Sequence, residues 1–258
     1  MIKRILVLAL SVVFLFNNIS YANYDAYKSY LKGVLAQKEG NIEVARSEYE
    51  KVISSDNDAV LVYKELINIY WQMGNGKKAL ELTEKLKEID GESVKTNMFL
   101  GSFYLSANEP ILARESWEKV LQLEPENEMA TVYLAAYYYS DNKLKESVDY
   151  WNKFLQQQPE SAEGYFQLGL VQEKLGMLDE ALSSYKKVNE LKTEAKEAYL
   201  ARARIYETRK QFVSAIEEYE KYVEVFPDNI SILLYLSKCY FEEQKYSKAQ
   251  STLLKAKK

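Results

Sequence analysis

Residues 94–127 read VKTNMFLGSFYLSANEPILARESWEKVLQLEPEN, and this stretch of 34 residues decides the fold. It places a small residue at position 8 (Gly101), rings at positions 11 and 24 (Tyr104 and Trp117), Ala113 at position 20 and Pro125 at position 32. The same pattern recurs every 34 residues in both directions without an insertion or deletion, and the last unit stops after 29 positions. The units start at residues 26, 60, 94, 128, 162, 196 and 230.

Each unit has the features of two helices joined by a tight turn. Small residues at positions 8 and 20 would let two antiparallel helices approach closely, and large rings would fill the space between one pair and the next. Position 15 is glycine or asparagine in five units, and these two residue types tolerate a left-handed turn best. Proline at position 32 would end the second helix. We therefore expect an all-α fold made of seven helix pairs.

These residues resemble the tetratricopeptide repeat (TPR), a unit with Leu-Gly, Tyr, Ala, an aromatic residue and Pro at set offsets. The third unit carries the pattern best, with Leu100-Gly101, Tyr104, Ala113, Trp117 and Pro125, and the resemblance covers residues 26–258. It implies an α-solenoid, a right-handed superhelix of antiparallel helix pairs whose first helices line a concave face. The truncated seventh unit is predicted to be a polar cap.

Residues 1–22 are predicted to be a cleaved signal peptide. Lys3 and Arg4 precede a mostly apolar run of twelve residues, and Ser20-Tyr21-Ala22 supplies small residues at the cleavage point. An uncleaved membrane anchor is the alternative, although a bilayer needs about 20 residues. Losing Lys3 and Arg4 would change the formal charge from −4 to −6. We expect a periplasmic or secreted protein of a bacterial cell envelope, soluble after cleavage, with no membrane span in residues 23–258.

The composition argues against several kinds of site. The negative charge disfavours binding to nucleic acid, which normally requires a basic patch. The chain has no histidine and one cysteine, Cys239, so the usual general base and the usual zinc ligands are missing. Gly74-Asn75-Gly76-Lys77-Lys78-Ala79 fits the spacing of a dinucleotide-binding loop, but a helix rather than a strand is predicted before it. We expect no catalytic residue, no metal and no cofactor.

The resemblance also implies a binding face built from positions 2, 5, 6, 9, 12 and 13 of each unit. On this chain those positions give a predicted partner-binding set that is apolar and aromatic, with charge (Glu173, Arg204, Glu207) towards its C-terminal end. The set is Trp71, Met98, Phe99, Leu105, Met129, Val132, Tyr133, Tyr139, Phe166 and Leu170. The alternative is that these side chains pack between adjacent first helices, and this applies most to Phe99 and Tyr133.

Two functions follow from this face. The first is an exported protein–protein interaction scaffold or assembly factor that binds a protein or peptide segment in an apolar groove. The second is a glycan-binding helper in envelope polysaccharide export or wall maintenance, with Trp71, Tyr133 and Tyr139 stacking on sugars. Lys64 and Asn68 match two positions of the clamp by which some relatives hold a C-terminal carboxylate, but the next units lack its remaining polar residues.

Overall fold

The computed structural model describes residues 22–256, and side chains from Tyr24 onward. The predicted signal peptide lies outside the described residues except for Ala22. The described residues form fourteen α-helices and no strand, so the prediction of an all-α fold of helix pairs is confirmed. Within residues 22–256, no helix combines the length and the apolar character that crossing a bilayer requires.

The chain divides into two compact units, each of which contains several repeats. The first unit ends at Leu123 and the second begins at Glu124. The first unit holds three pairs: α1 (Ala22–Lys38) with α2 (Ile42–Ser55), α3 (Val60–Gln72) with α4 (Gly76–Asp90), and α5 (Val94–Ser106) with α6 (Pro110–Leu123). The second unit holds four pairs: α7 (Glu128–Ser140) with α8 (Leu144–Gln157), α9 (Ala162–Lys174) with α10 (Leu178–Leu191), α11 (Lys196–Thr208) with α12 (Phe212–Val225), and α13 (Ile230–Glu242) with α14 (Tyr246–Ala256). Helix α1 begins four residues before the predicted repeat start at residue 26.

The turn inside every pair passes through one residue with a positive φ angle. These residues are Gly40, Gly74, Asn108, Asn142, Gly176, Lys210 and Gln244, with φ between 56° and 78°. The prediction of a left-handed turn at position 15 is therefore confirmed for the glycines and asparagines. Lys210 and Gln244 adopt the same conformation although their side chains disfavour it.

Short polar side chains cap many of the helices. The carbonyl or hydroxyl oxygen of the capping residue accepts a hydrogen bond from the backbone N–H three residues later, which is one of the N–H groups a helix leaves unpaired. The capping residues are Asn41, Asn75, Ser93, Asn127, Ser161 and Asn229. Pro110 is the first residue of α6, where its missing N–H costs nothing.

Within a pair, the small residue at position 8 makes room for the ring at position 24. A Cβ atom added to Gly101 would lie 2.2 Å from Nε1 of Trp117, and one added to Gly169 would lie 2.6 Å from the Tyr185 ring. Trp117 and Tyr185 are fully buried. In these two pairs, the close approach of the helices depends on the absence of a side chain at position 8.

Consecutive pairs are joined by a recurring hydrogen bond that the sequence analysis did not predict. The tyrosine hydroxyl at position 11 of one repeat donates to the glutamate carboxylate at position 25 of the preceding repeat. This bond joins Tyr70 to Glu50, Tyr104 to Glu84 and Tyr240 to Glu220. For Tyr104 the distance from Oη to Oε1 is 3.1 Å, and the hydroxyl also lies 3.0 Å from Oγ1 of Thr83.

Candidate functional site

Each first helix buries one set of positions and leaves another open. In α3 the residues at positions 3, 7 and 10 (Val62, Leu66 and Ile69) are buried, whereas those at positions 2 and 12 (Leu61 and Trp71) are exposed. The same alternation recurs in α5 and α13. Positions 2, 5, 6, 9, 12 and 13 therefore form the accessible side of these three helices.

The first-unit strip comprises the four predicted residues Trp71, Met98, Phe99 and Leu105. Leu105 and Trp71 are 54% and 37% exposed, and Met98 and Phe99 are half-buried. Buried Phe103 supports the aromatic part from below, with its ring centroid 5.7 Å from that of Trp71 and 6.4 Å from that of Phe99. The rings are thus held in place while part of their surface stays open to a partner.

A lysine stands beside this strip. Nζ of Lys64 lies 5.7 Å from the centroid of the Phe99 ring, close enough for a cation–π attraction. Burial lowers the pKa of Lys64, the carboxylate of Asp90 opposes that change, and the ammonium of Lys95 adds to it. The strip therefore borders positive charge on α3 and α5.

The second-unit strip comprises Met129, Val132, Tyr133, Tyr139, Phe166 and Leu170, and its members differ in exposure. Met129 and Tyr139 are 58% and 38% exposed, and the other four are half-buried. Val132 packs against the buried cluster that includes Trp151. Phe166 and Leu170 pack against the cluster that includes Tyr185, and the Phe166 and Tyr185 centroids are 5.6 Å apart.

Packing accordingly accounts for part of the predicted set. Val132, Phe166 and Leu170 pack against buried clusters that each draw side chains from two consecutive helix pairs. Phe99 and Tyr133 at position 6 are half-buried, so each keeps part of its surface accessible. The most accessible members are Leu105 and Trp71 in the first unit and Met129 and Tyr139 in the second.

The charged part of the predicted face is internally paired. Nη2 of Arg204 lies 2.9 Å from Oε1 of Glu173, and Nζ of Lys238 lies 3.6 Å from Oε1 of Glu207. Nζ of Lys174 stands 4.3 Å from the centroid of the Tyr139 ring. These contacts lower the charge that the second-unit face offers to a partner.

The last pair exposes apolar side chains that the sequence analysis did not include. Leu234, Tyr235 and Phe241 occupy positions 5, 6 and 12 of the seventh unit, and Phe241 is 61% exposed. The centroid of the Phe241 ring lies 5.3 Å from that of Tyr246, which is also exposed. The predicted polar cap thus carries exposed apolar side chains on the accessible side of α13. The position rule used for the other units would have found these residues had it been applied to this one.

The described part of the chain offers no cluster of metal-ligating side chains. Among residues 24–256, no three histidine, cysteine, aspartate or glutamate side chains are grouped so that they could hold a metal ion. Cys239 is fully buried, and burial followed by the carboxylate of Glu207 raises the pKa of its thiol to about 12. This thiol stays protonated and inaccessible at neutral pH, so it is a packing residue rather than a nucleophile.

Two protein-family models match the sequence, and both describe the tetratricopeptide repeat. One matches residues 29–58 and 162–194, and the other matches residues 196–239. Residues 162 and 196 are also the first residues of α9 and α11. No curated protein matches the chain.

Several solved structures share the fold. The C-terminal part of a TPR repeat-containing protein from Cytophaga hutchinsonii is 17% identical and covers 88% of this chain and 93% of its own, with a TM-score of 0.71. A tetratricopeptide repeat protein from Parabacteroides merdae is 15% identical over 90% of this chain and 92% of its own, with a TM-score of 0.59. YrrB, described as a TPR protein with an unusual peptide-binding site, is 23% identical over 72% and 95%, with a TM-score of 0.56. These likenesses show the fold alone.

Proposed function

Because this chain belongs to the tetratricopeptide-repeat proteins, whose helix pairs serve as scaffolds for protein–protein interaction, we propose that it is an exported interaction scaffold or assembly factor. It holds a segment of a partner protein on the exposed apolar and aromatic side chains of its first helices. The observation that carries this proposal is the openness of Trp71 and Leu105 in the first unit and of Met129 and Tyr139 in the second.

The arrangement of these side chains favours binding rather than accidental exposure. Single exposed apolar residues are common on any protein surface, but within each unit these side chains occupy position 2 or position 12, on the accessible side of the first helices. Trp71 packs edge-on against buried Phe103, so little of its side-chain freedom remains to be lost when a partner covers it. Aromatic anchors of this kind supply much of the binding energy at protein interfaces.

Photo-cross-linking in the native host tests the proposal in both units. A photoreactive phenylalanine analogue is placed at Leu105 or Tyr139, with Lys186 on α10 as the control position because its side chain is 68% exposed. We expect a discrete protein adduct from positions 105 and 139 and none from 186. Adducts at 186 without adducts at 105 and 139 would show that the second helices, and not the first, contact the partner.

Matched charge substitutions test whether these exposed apolar side chains contribute to the free energy of partner binding. Leu105→Glu and Ile111→Glu each place a carboxylate at an exposed apolar site in the first unit, one on the first helix and one on the second. Met129→Glu and Val213→Glu form the same comparison in the second unit. We expect Leu105→Glu and Met129→Glu to abolish adduct formation from position 139, and Tyr139→Glu to abolish it from position 105, without unfolding. Equal effects from both members would refute the assignment of the face.

The proposed export rests on residues 1–22 and has its own test. Fractionation of the host followed by N-terminal sequencing should give a mature chain that begins at Asn23, in the periplasm or the medium. A chain that retains Lys3 and Arg4 would contradict cleavage and favour the membrane anchor.

The glycan-binding alternative is decided by the same cross-linking experiment. Adducts at Tyr139 that resist protease and are removed by glycosidases would favour a glycan-binding helper. Absence of quenching of Trp71 fluorescence by isolated envelope glycans would count against it.

A further inference from the structure

A cavity of about 200 Å³ lies in the first unit between α1, the end of α2 and the start of α3. Its floor is apolar and buried, formed by Ala26, Val52 and Val62. Tyr27 and Tyr30 contribute two aromatic side chains to the wall. They occupy positions 2 and 5 of the first repeat, so the cavity opens beside the accessible side of the first helices.

Two carboxylates stand among the lining residues. Asp56 is half-buried, and one of its oxygens accepts a hydrogen bond of 3.1 Å from the backbone N–H of Asp58, which is exposed. Among residues 24–256, neither aspartate forms an ion pair with a lysine or arginine. The cavity therefore combines an apolar interior with uncompensated negative charge.

The surrounding residues report the same negative field. The pKa of Tyr63, whose ring is buried next to this turn, is raised first by burial and then by the carboxylates of Asp58 and Asp56. The pKa of Tyr30 is raised by burial and then by the carboxylate of Glu65. Carboxylates of the turn before α3 and of α3 itself thus raise the pKa of these two tyrosines.

The size and character of the cavity limit what can fill it. Pockets for drug-sized ligands span roughly 300 to 1,000 Å³, so this cavity suits a single long side chain. Lysine and arginine bury an apolar stem and leave a cation at the rim, and aromatic faces attract such cations. An acidic side chain would be repelled by Asp56 and Asp58, and a purely apolar one would offer no positive charge to pair with them.

We propose that this cavity is a specificity pocket for one lysine or arginine side chain of the partner polypeptide, with the stem between Tyr27 and Tyr30 and the cation at Asp56 and Asp58. The inference rests on the proposed function for the nature of the partner. It adds that the partner segment carries a basic residue where it passes the first helix pair.

Blocked pentapeptides test the pocket without the partner. Acetyl-Gly-Ser-X-Ser-Gly-amide with X as Arg, Lys, Gln or Glu is titrated into ¹⁵N-labelled protein, and the amide shifts of residues 56–62 are followed. We expect saturable shifts with Arg and Lys only. The double substitution Asp56→Asn/Asp58→Asn keeps a side-chain oxygen as an acceptor at each position and should weaken binding of the Arg peptide on the order of tenfold, because one half-buried and one exposed counter-charge are lost.

The control is Glu39→Gln/Glu109→Gln, which removes two exposed carboxylates of the same unit that do not line the cavity. It should leave the affinity for the Arg peptide unchanged. Equal binding of the Gln peptide, an unaltered affinity of the Asn variant, or no shift at residues 56–62 would overturn the proposal. If these peptides fail while position 105 still cross-links to a protein, only the pocket inference is wrong. If the Arg peptide binds and positions 105 and 139 give no protein adduct, the proposed scaffold function fails instead.

Discussion

The buried ion pair between Arg202 and Glu218 gives the sharpest test of the physical account of this fold. Arg202 lies at position 7 of its repeat, where most other units carry leucine, and Glu218 lies at position 23. Their side chains are 8% and 7% exposed and in direct contact. Nε of Arg202 is buried without a hydrogen-bond partner in the described structure. The pair is therefore desolvated and only partly compensated.

Replacing one residue of the pair should lower the free energy of unfolding, whereas replacing both should not. Arg202→Leu leaves a buried carboxylate whose remaining cation, Nζ of Lys221, lies 3.4 Å away and is half-exposed. Loss of one member of a buried pair costs about 3 to 5 kcal/mol. We expect Arg202→Leu to lower the free energy of unfolding by about 3 kcal/mol, because Lys221 still pairs with the carboxylate. Glu218→Leu should lower it by an amount nearer to about 5 kcal/mol.

The double variant copies a packing that the chain already uses. Leu66 and Leu82 occupy the same two positions in the second repeat, and both are fully buried. Replacing a buried ion pair by apolar residues is often neutral or stabilising by about 1 to 4 kcal/mol. Arg202→Leu/Glu218→Leu should therefore be at least as stable as the natural protein.

Guanidinium unfolding followed by far-UV circular dichroism gives the free energies for this double-mutant cycle. Amide hydrogen exchange in α11 and α12 localises the effect, because repeat arrays can open one unit at a time. A loss below about 1 kcal/mol for Arg202→Leu would refute the reasoning. So would a double variant less stable than either single variant.

Three further predictions concern the turns, the ring contacts and alkaline pH. Gly101→Ala places a Cβ 2.2 Å from Nε1 of Trp117 and should cost about 1 to 3 kcal/mol of unfolding free energy, with a shift in Trp fluorescence. Lys210→Gly should raise the free energy of unfolding by about 0.5 to 1 kcal/mol, because glycine adopts the left-handed conformation without strain. Lys186→Gly inside α10 should lower it by about 1 kcal/mol. Equal effects of the two variants in chemical denaturation would contradict this prediction. Burial raises the pKa of Tyr104 from 10.0 to about 12, so its contribution to stability is complete below pH 10 and is lost between pH 10 and 12. The part of the tyrosinate absorbance at 295 nm that Tyr104→Phe removes should then appear together with unfolding, and its appearance while the protein is still folded would contradict the assignment.

The sequence predicted the fold because its strongest signals are local and periodic. Gly101 and Trp117 belong to one unit, so their spacing alone specifies that two helices meet there. Lys210 shows the limit of such reasoning. Its turn has a positive φ angle like that of Gly176, but lysine has no preference for this conformation. Only the 34-residue spacing from neighbouring turns predicts it.

The candidate site was less predictable, since helix position indicates a face but not the depth to which a side chain is covered. Leu105 and Leu170 occupy the accessible positions 12 and 9. Leu105 is exposed, whereas Leu170 packs against the cluster around Tyr185. Arg204 was predicted as charge available to a partner, but Glu173 of the preceding repeat neutralises it. Such pairing depends on the distance between neighbouring repeats, which a single sequence does not report.

The hydrogen bond between a tyrosine at position 11 and a glutamate at position 25 bears on how a chain of this kind can lengthen. The repeat that begins at Val60 carries both halves, since Tyr70 donates to the repeat before it and Glu84 accepts from the repeat after it. Duplicating the DNA for those 34 residues would insert a new donor and a new acceptor together. The copy would join its neighbours through the same bond on each side, without any compensating mutation.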